Sequence, residues 1–343
     1  LILKTNQRKV MDMEKLVTRL LTRSDVAGLL TLPDCISAVE HGFELEGKGE
    51  VPLPSILSVH APNGGLHVKA GFLGLDRPCI VAKVNANFPQ NPGLHGLPTI
   101  QGVVIVVDAE NGFPLIVMDS IEITIQRTGA ATAVAAKYLA RKDSQTVAII
   151  GCGLQGRVQL QSLMHVLPIK NVRAFDMDPA VVQKFVSFVS KELKLNAVIA
   201  ASVRDAVKGC DVCVTCTSSK QILLQKEDVP PGMFIAAIGA DNEHKQELDP
   251  RLFAGNKVVV DNLNQCATIG DLHHAIEQKL VTRESVHADL GSVVAGKKPG
   301  RTSMHEIIVF DSTGIALQDA VTAALIMRKV QEQNIGVPFD FFA

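Results

Sequence analysis

Residues 147–159 read VAIIGCGLQGRVQ, an apolar run that breaks into glycines spaced G-x-G-x-x-G. Such a turn is either an ordinary tight connection or a cradle for a phosphate, and its surroundings decide between them. VAII reads as a strand and QGRVQLQSLMHVL as a helix. VRAFD reads as a second strand, closing on Asp176. Gly151 permits the sharp turn, and Gly153 removes the side chain that would block a pyrophosphate. Leu154 lies in the turn, the helix that follows offers its first N–H groups and positive dipole end to the phosphate, and Gly156 lets helix and strand pack closely. A lone G-x-G-x-x-G is weak. Strand, helix, second strand and terminal acid together read as a dinucleotide site. A carboxylate at Asp176 suits ribose hydroxyls and repels a 2′-phosphate, so NAD is expected, with NADP still open.

Outward from this turn, strand and helix alternate. PAVVQKFVSFVSKEL, NAVIAA, VRDAVKG, DVCVTCT, MFIAAIG and KVVVDN follow in order, the pattern of a parallel sheet wrapped by helices. Residues 51–117 differ: short apolar runs broken by Pro and Gly read as hairpins, with DAENG turning between VVIVV and PLIVM. Before them, TLPDCISAVEHGFELEGKG reads as a helix capped by Thr31, with Pro33 in its first turn. IEITIQRTGAATAVAAKYLAR and IALQDAVTAALIMRKVQEQ read as further helices, the last with a broad apolar face. The chain is therefore expected to be α/β in two parts. Residues 131–313 form a Rossmann domain with a doubly wound parallel sheet. Residues 1–130 form an α+β domain, to which 314–343 returns because its strands otherwise lack helix to cover them.

Composition excludes several functions. With 34 basic and 35 acidic residues, no Trp and one Tyr, the chain lacks the concentrated positive surface and stacking rings that nucleic acid requires. No apolar run approaches the roughly 20 residues of a membrane span. The opening LILKTNQRKVMDMEK lacks the cleavage pattern of a secretory signal and reads as a frayed terminus. Seven scattered cysteines do not read as a disulfide framework, which fits a reducing cytoplasm. Cys210, Cys213 and Cys216 lie in a strand, where a spacing of three turns neighbours to opposite faces. His273 and His274 are adjacent on a helix and are expected to diverge. No metal site is expected.

A hydride-transfer site needs a group to hold the substrate and a group to move protons. Lys69, Lys83 and Arg127 interrupt apolar text in LHVKAGF, CIVAKVNANFP and IEITIQRTGAATA. For any one alone, a side chain reaching solvent is the commoner fate. Asp241 follows the strand FIAAIGA, at the carboxyl end where parallel sheets bind ligands.

The stretch from KVNANFPQNPG through AVAAKYLAR, residues 83–141, resembles the signature of the ornithine cyclodeaminase/mu-crystallin family. VAIIGCGLQGRVQ, TCTSS, IGADNEHKQELDP and VFDSTGIALQDA resemble its later motifs in the same order. The resemblance implies a homodimer whose first domain carries substrate and subunit contacts. Lys83 then matches the lysine that holds a substrate carboxylate near the reacting carbon. Arg127 matches the arginine that binds that carboxylate, Thr99 a pocket residue, and Asp241 the acid that handles protons or water at the amine-bearing carbon. Gln155 joins Gly151, Gly153 and Asp176 in the cofactor turn. Thr215, Thr217 and Ser218 lie where the family passes its chain close to the cofactor.

Two departures bear on the substrate. Cyclodeaminases carry a further carboxylate-binding Arg where this chain reads PLPSILS, with Ser55 nearest the place. Ornithine cyclodeaminase has an acid near the position of Lys69. A lysine there repels an ammonium, by about 4 kcal/mol at ~4 Å and a surface-like dielectric, and suits a second carboxylate or a hydroxyl. The leading expectation is an NAD(P)-dependent oxidoreductase acting on the C–N bond of an amino acid or small cyclic imino acid. The alternatives are an ammonia-eliminating lyase that recycles bound NAD, and a crystallin-like binding protein.

Overall fold

The computed structural model describes residues 17–51, 56–74, 77–341 and 343. Ser55 and the opening segment through Lys15 lie outside them. Two large sheets organise the chain. The first has the strand order Val337–Phe339, Thr18–Leu21, Pro114–Asp119, Ile100–Asp108, Cys79–Asn87, Gly64–Leu73, Leu57–Ala61. Its last four strands form an antiparallel meander of long, regular pairs, as their Val- and Ile-rich alternation favours. The DAENG turn joins Ile100–Asp108 to Pro114–Asp119 as an antiparallel pair.

Residues directly opposite one another share a face of such a sheet. One row carries Lys69, Lys83 and Val104, and the next carries Ser58, His67, Asn85 and Gly102. Helix Ala316–Gln333 packs on this face, with Ala316 and Ala320 against Gly71. It is buried along most of its length, consistent with an apolar face too broad for a surface helix. The opposite face is apolar and open: Leu57, Val59, Phe72, Ile80 and Val103 keep 40–60% of their surface exposed.

Helix Leu32–Lys48 starts as its sequence predicts. Thr31 Oγ1 accepts from Asp34 N, a proline lies in the first turn, and Gly49 closes the helix in the left-handed region. Helix Ile121–Leu139 packs on Leu32–Lys48 on one side and on helix Leu154–Met164 on the other. The division expected near residue 130 therefore falls inside a rod that both halves share.

The second sheet is wholly parallel, in the order Ala288–Asp289, Lys257–Val260, Ile308–Asp311, Phe234–Ala237, Val212–Thr215, Thr146–Ile150, Asn171–Phe175, Asn196–Ile199. From Thr146–Ile150 the chain steps outward twice, then crosses back to Val212–Thr215 on the other side. The sheet thus reverses direction between these two strands, the place where ligands bind in doubly wound folds. Its central strands are buried on both faces, which explains their unbroken apolar runs. Among the described residues no helix is long and apolar enough to cross a membrane.

Candidate active site

The glycine turn follows Ile150 at this reversal. Gly151 has φ +98°, and a Cβ there would meet Cys216 O at 2.9 Å. A Cβ on Gly156 would lie 2.2 Å from Gly151 O, so only glycine lets the helix come this close. At Gly153, by contrast, a Cβ would meet nothing within 4 Å. That space opens over the start of helix Leu154–Met164, which has no side-chain cap, so its first N–H groups remain available to an anion. Leu154 is exposed beside it, while Gln155 accepts a 3.5 Å bond from Gln159. Asp176 is held at the end of its strand: Oδ2 accepts from Cys152 N at 2.8 Å and Oδ1 from Asp178 N at 3.0 Å. These residues fit a dinucleotide, with the open step for the pyrophosphate and the carboxylate for the ribose.

The other wall of this crevice departs from expectation. Thr215 is fully buried, so its side chain offers no surface to a cofactor. Thr217 points its N–H and Oγ1 at Glu247 Oε1, at 2.6 and 2.7 Å, and Gly239 N donates to Glu247 Oε2 at 2.9 Å. Of the three predicted residues, Ser218 is exposed. Glu247 therefore ties together the ends of two adjacent strands, a role the sequence reading missed. Burial, with repulsion from Asp271, pushes its carboxyl up to about 7.

A cleft of about 560 Å³ opens between the inner face of the first sheet and the carboxyl edge of the second. Lys69, Lys83, Arg127 and Asp241 all line it, brought together from two strands, a helix and a post-strand loop. Lys83 is 3% exposed, with Nζ 2.6 Å from Asp319 Oδ2 and 3.4 Å from Thr124 Oγ1. Arg127 donates from Nε to Asp319 Oδ1 at 3.0 Å and from Nη1 to Gln318 Oε1 at 2.8 Å. Burial pushes the Lys83 ammonium down to about 7, with Asp319 opposing and Arg127 and Lys69 adding repulsion. Burial would raise Asp319, but Lys83, Arg127 and Lys69 overcome it and hold the carboxyl below its usual range.

Lys69 is bound by the carbonyls of Thr313 and Gly314. Burial and the Arg127 charge lower its pKa. Asp261 fixes that loop in turn, accepting from Ser312 Oγ at 2.8 Å and Gly314 N at 2.7 Å. Asp241 is exposed at the rim, with Lys245 Nζ 2.7 Å from Oδ1 and Asn242 Nδ2 donating to the same oxygen at 3.3 Å. Thr99 does not line the cleft. Its carbonyl accepts from Phe88 N at 2.8 Å, and its neighbour Ile100 takes the lining position.

His273 and His274 do not diverge as adjacency suggests. Their rings meet edge to face with centroids 4.6 Å apart, and with Glu277 they form a cluster within 4.8 Å. His274 Nε2 lies 2.8 Å from Lys245 O, and His273 Nε2 lies 3.2 Å from Glu277 Oε1, so two of the ring nitrogens already have partners. The seven cysteines are free thiols. Asp319 is the main residue that sequence reading passed over. Its signal was a lone acid on the buried side of an otherwise apolar helix, in ALQDAVTAALIM.

The ornithine cyclodeaminase/mu-crystallin family profile matches residues 16–334. The chain is 39% identical over 331 residues to an alanine dehydrogenase of Archaeoglobus fulgidus, covering 95% of this chain and 99% of that one. It is similar to the solved structure of an archaeal alanine dehydrogenase dimer with bound NAD, at TM-score 0.91 and 37% identity, again covering 95% and 99%. It is also similar to the Δ1-pyrroline-2-carboxylate reductase of Thermococcus litoralis, solved with NADH and L-proline, at TM-score 0.89 and 31% identity over 93% of this chain and 99% of that one. Fold, glycine turn and sequence agree: the chain belongs to the ornithine cyclodeaminase/mu-crystallin family.

Proposed function

We propose that the protein is an NAD-dependent oxidoreductase that acts on the carbon–nitrogen bond of a small 2-amino acid or its imine, cyclic imino acids included. One observation carries the reading: Lys83, Arg127 and Asp241 line a single cleft on the carboxyl edge that also bears the cofactor turn. The relatives named above, an alanine dehydrogenase and a pyrroline carboxylate reductase, support it.

Lys83 and Arg127 clamp the substrate carboxylate through charge-assisted hydrogen bonds. Asp241 gives a proton to nitrogen, or takes one from it, and its exposure at the rim lets water exchange that proton. Gly151, Gly153, Leu154 and Asp176 would hold an NAD, which would supply or accept the hydride exchanged at the amine-bearing carbon. Fixing the carboxylate at two points orients that carbon, which is worth several kcal/mol of the barrier, on the order of 7 or more in favourable cases. Lys69, His67 and Asn85 face the same space and suit a substrate side chain with a polar or anionic group.

In this reading residues 1–130 with 314–343 form the substrate and subunit unit, and 131–313 form the cofactor unit. The open apolar face of the first sheet meets a second copy, giving a homodimer. Burying each exposed Leu, Val, Ile or Phe there contributes up to about 1.5–3 kcal/mol. Seven free thiols fit a reducing cytoplasm.

The test assays NADH and NADPH against pyruvate with ammonia, Δ1-pyrroline-2-carboxylate and ornithine. Net consumption of reduced cofactor with an imine or oxo acid supports the oxidoreductase. Ammonia release from ornithine with no net cofactor change would make the protein a lyase, and saturable binding without turnover would make it a binding protein.

A further inference from the structure

Two of the cations that line the cleft, Lys83 and Arg127, share one counter-ion. Asp319 is 1% exposed and puts one oxygen on each: Oδ2 lies 2.6 Å from Lys83 Nζ, and Oδ1 accepts from Arg127 Nε at 3.0 Å. The neighbouring Gln318 Oε1 takes Arg127 Nη1 at 2.8 Å. Arg127 is thereby held through two of its three nitrogens, and Nη2 has no protein acceptor among the described residues. Asp319 belongs to the first turn of helix Ala316–Gln333, where the helix dipole favours a negative charge.

Every element packed against Lys83 contributes to its surroundings. Helix Ile121–Leu139 brings Arg127 and Thr124, and the neighbouring strand brings Lys69, with His67 one row along. The terminal helix brings Asp319. Asp241 and Glu243 lie across the cleft, and Asp261 lies beyond Lys69. Two of the nearest charges are therefore cations, and Asp319 is the carboxylate in direct contact. Burial among cations drives the proton off a lysine, and a neutral Lys83 offers a substrate carboxylate no charge.

We propose that Asp319 is the positioning residue of this site: it favours the charged form of Lys83 and, with Gln318, fixes Arg127 with Nη2 left free, so that the carboxylate clamp is set before substrate arrives. The inference rests on the reading of Lys83 and Arg127 as that clamp. It adds the residue whose loss weakens the positive charge that Lys83 brings to the clamp. Asp319 does not touch substrate and acts only through its two partners.

The test uses the full chain labelled with carbon-13 at lysine Cε and titrated by NMR, with the Lys83 signal assigned from Lys83→Arg. In Asp319→Asn the Lys83 midpoint is expected to fall by about one pH unit or more, a roughly tenfold loss of the charged form at any pH above it. Asp319→Glu restores the midpoint, and Arg127→Gln moves it the other way, upward. The kcat/KM profile for Δ1-pyrroline-2-carboxylate with NADH follows: its alkaline limb moves to lower pH in Asp319→Asn, and KM rises more than kcat falls. The substrate's own ionisation is common to both proteins and cancels. Should Asp319→Asn not fold, the charge-balanced Arg127→Gln/Asp319→Asn protein is compared with Arg127→Gln, and the same downward shift is expected. An unmoved Lys83 midpoint in a folded, NADH-binding variant overturns the proposal. An unchanged KM in Lys83→Gln overturns the clamp reading instead, whatever Asp319 does.

Discussion

Lys69 and Lys83 stand directly opposite one another on neighbouring antiparallel strands, two ammonium groups on one face of one sheet. Like charges in that relationship destabilise a sheet, so the arrangement persists only because other groups answer it. Asp319 answers Lys83, and the carbonyls of Thr313 and Gly314 answer Lys69. A site with this excess of positive charge is built for anions. Lys69→Met is therefore expected to cut kcat/KM about tenfold or more for a 2-imino acid with a second carboxylate, and much less for one with a methyl side chain. Equal losses for the two substrates would remove Lys69 from side-chain recognition.

The glycines of the turn separate folding from binding. At Gly156 a Cβ would overlap Gly151 O, so Gly156→Ala is expected to destabilise the protein by about 2 kcal/mol or more through overpacking against backbone. At Gly153 the Cβ has room and φ is −71°. Gly153→Ala is expected to melt within a few degrees of the parent, yet to bind NADH about tenfold or more weakly, because the methyl enters the space kept for the pyrophosphate. Calorimetry and cofactor titration on both variants check the contrast.

Elements whose cause is local could be read from the chain. The Thr31 cap, the DAENG turn and the G-x-G-x-x-G unit each depend on residues a few positions apart. Lys69, Lys83 and Arg127 were visible as interruptions of apolar text and Asp241 as an acid closing a strand, and family resemblance supplied roles for Lys83, Arg127 and Asp241. Asp319, Glu247 and Asp261 were passed over. Each acts on partners far away in sequence, as Asp319 does on Arg127 across 192 positions, and an acid in a helix or loop looks the same whether or not a cation waits for it. Thr215 and Thr99 failed for the related reason that a correct place along the chain does not fix which way a side chain or carbonyl turns. His273 and His274 meet edge to face, each with its own partner, Glu277 for His273 and the Lys245 carbonyl for His274.

In the proposed reading, cofactor choice rests on Asp176. Its carboxylate is fixed by two backbone N–H groups and would meet a 2′-phosphate with like charge. Asp176→Ser is expected to raise the ratio of kcat/KM for NADPH over NADH by about tenfold or more, since one repelled charge is worth at least about 1.4 kcal/mol at close range. Parallel assays with the two cofactors measure it, and an unchanged ratio would assign discrimination to another residue.

Phe72 and Ile80 are directly paired on the open face of the first sheet and are 40% and 44% exposed. If that face meets a second copy, Ile80→Lys places an unpaired charge in an apolar interface, at a cost of several kcal/mol. Light scattering is expected to show the parent as a dimer and Ile80→Lys as a monomer at the same concentration. A variant that stays dimeric would move the interface elsewhere.

The proposed reading gives Asp241 the proton transfer. It is exposed and its bonds are to Lys245 and Asn242, close in sequence, so replacing it removes no buried partner and disturbs packing little. Asp241→Asn keeps the shape and the Asn242 contact but cannot carry a proton. The expected outcome is unchanged melting, unchanged NADH affinity and a loss of kcat of about 10²–10⁴, the range that general acid–base groups supply. KM for the substrate should move little, because the carboxylate clamp lies on the other wall of the cleft. The three measurements together separate roles. A rise in KM with normal kcat would make Asp241 a binding group, and a kcat within about twofold of the parent would show that the proton travels by another route.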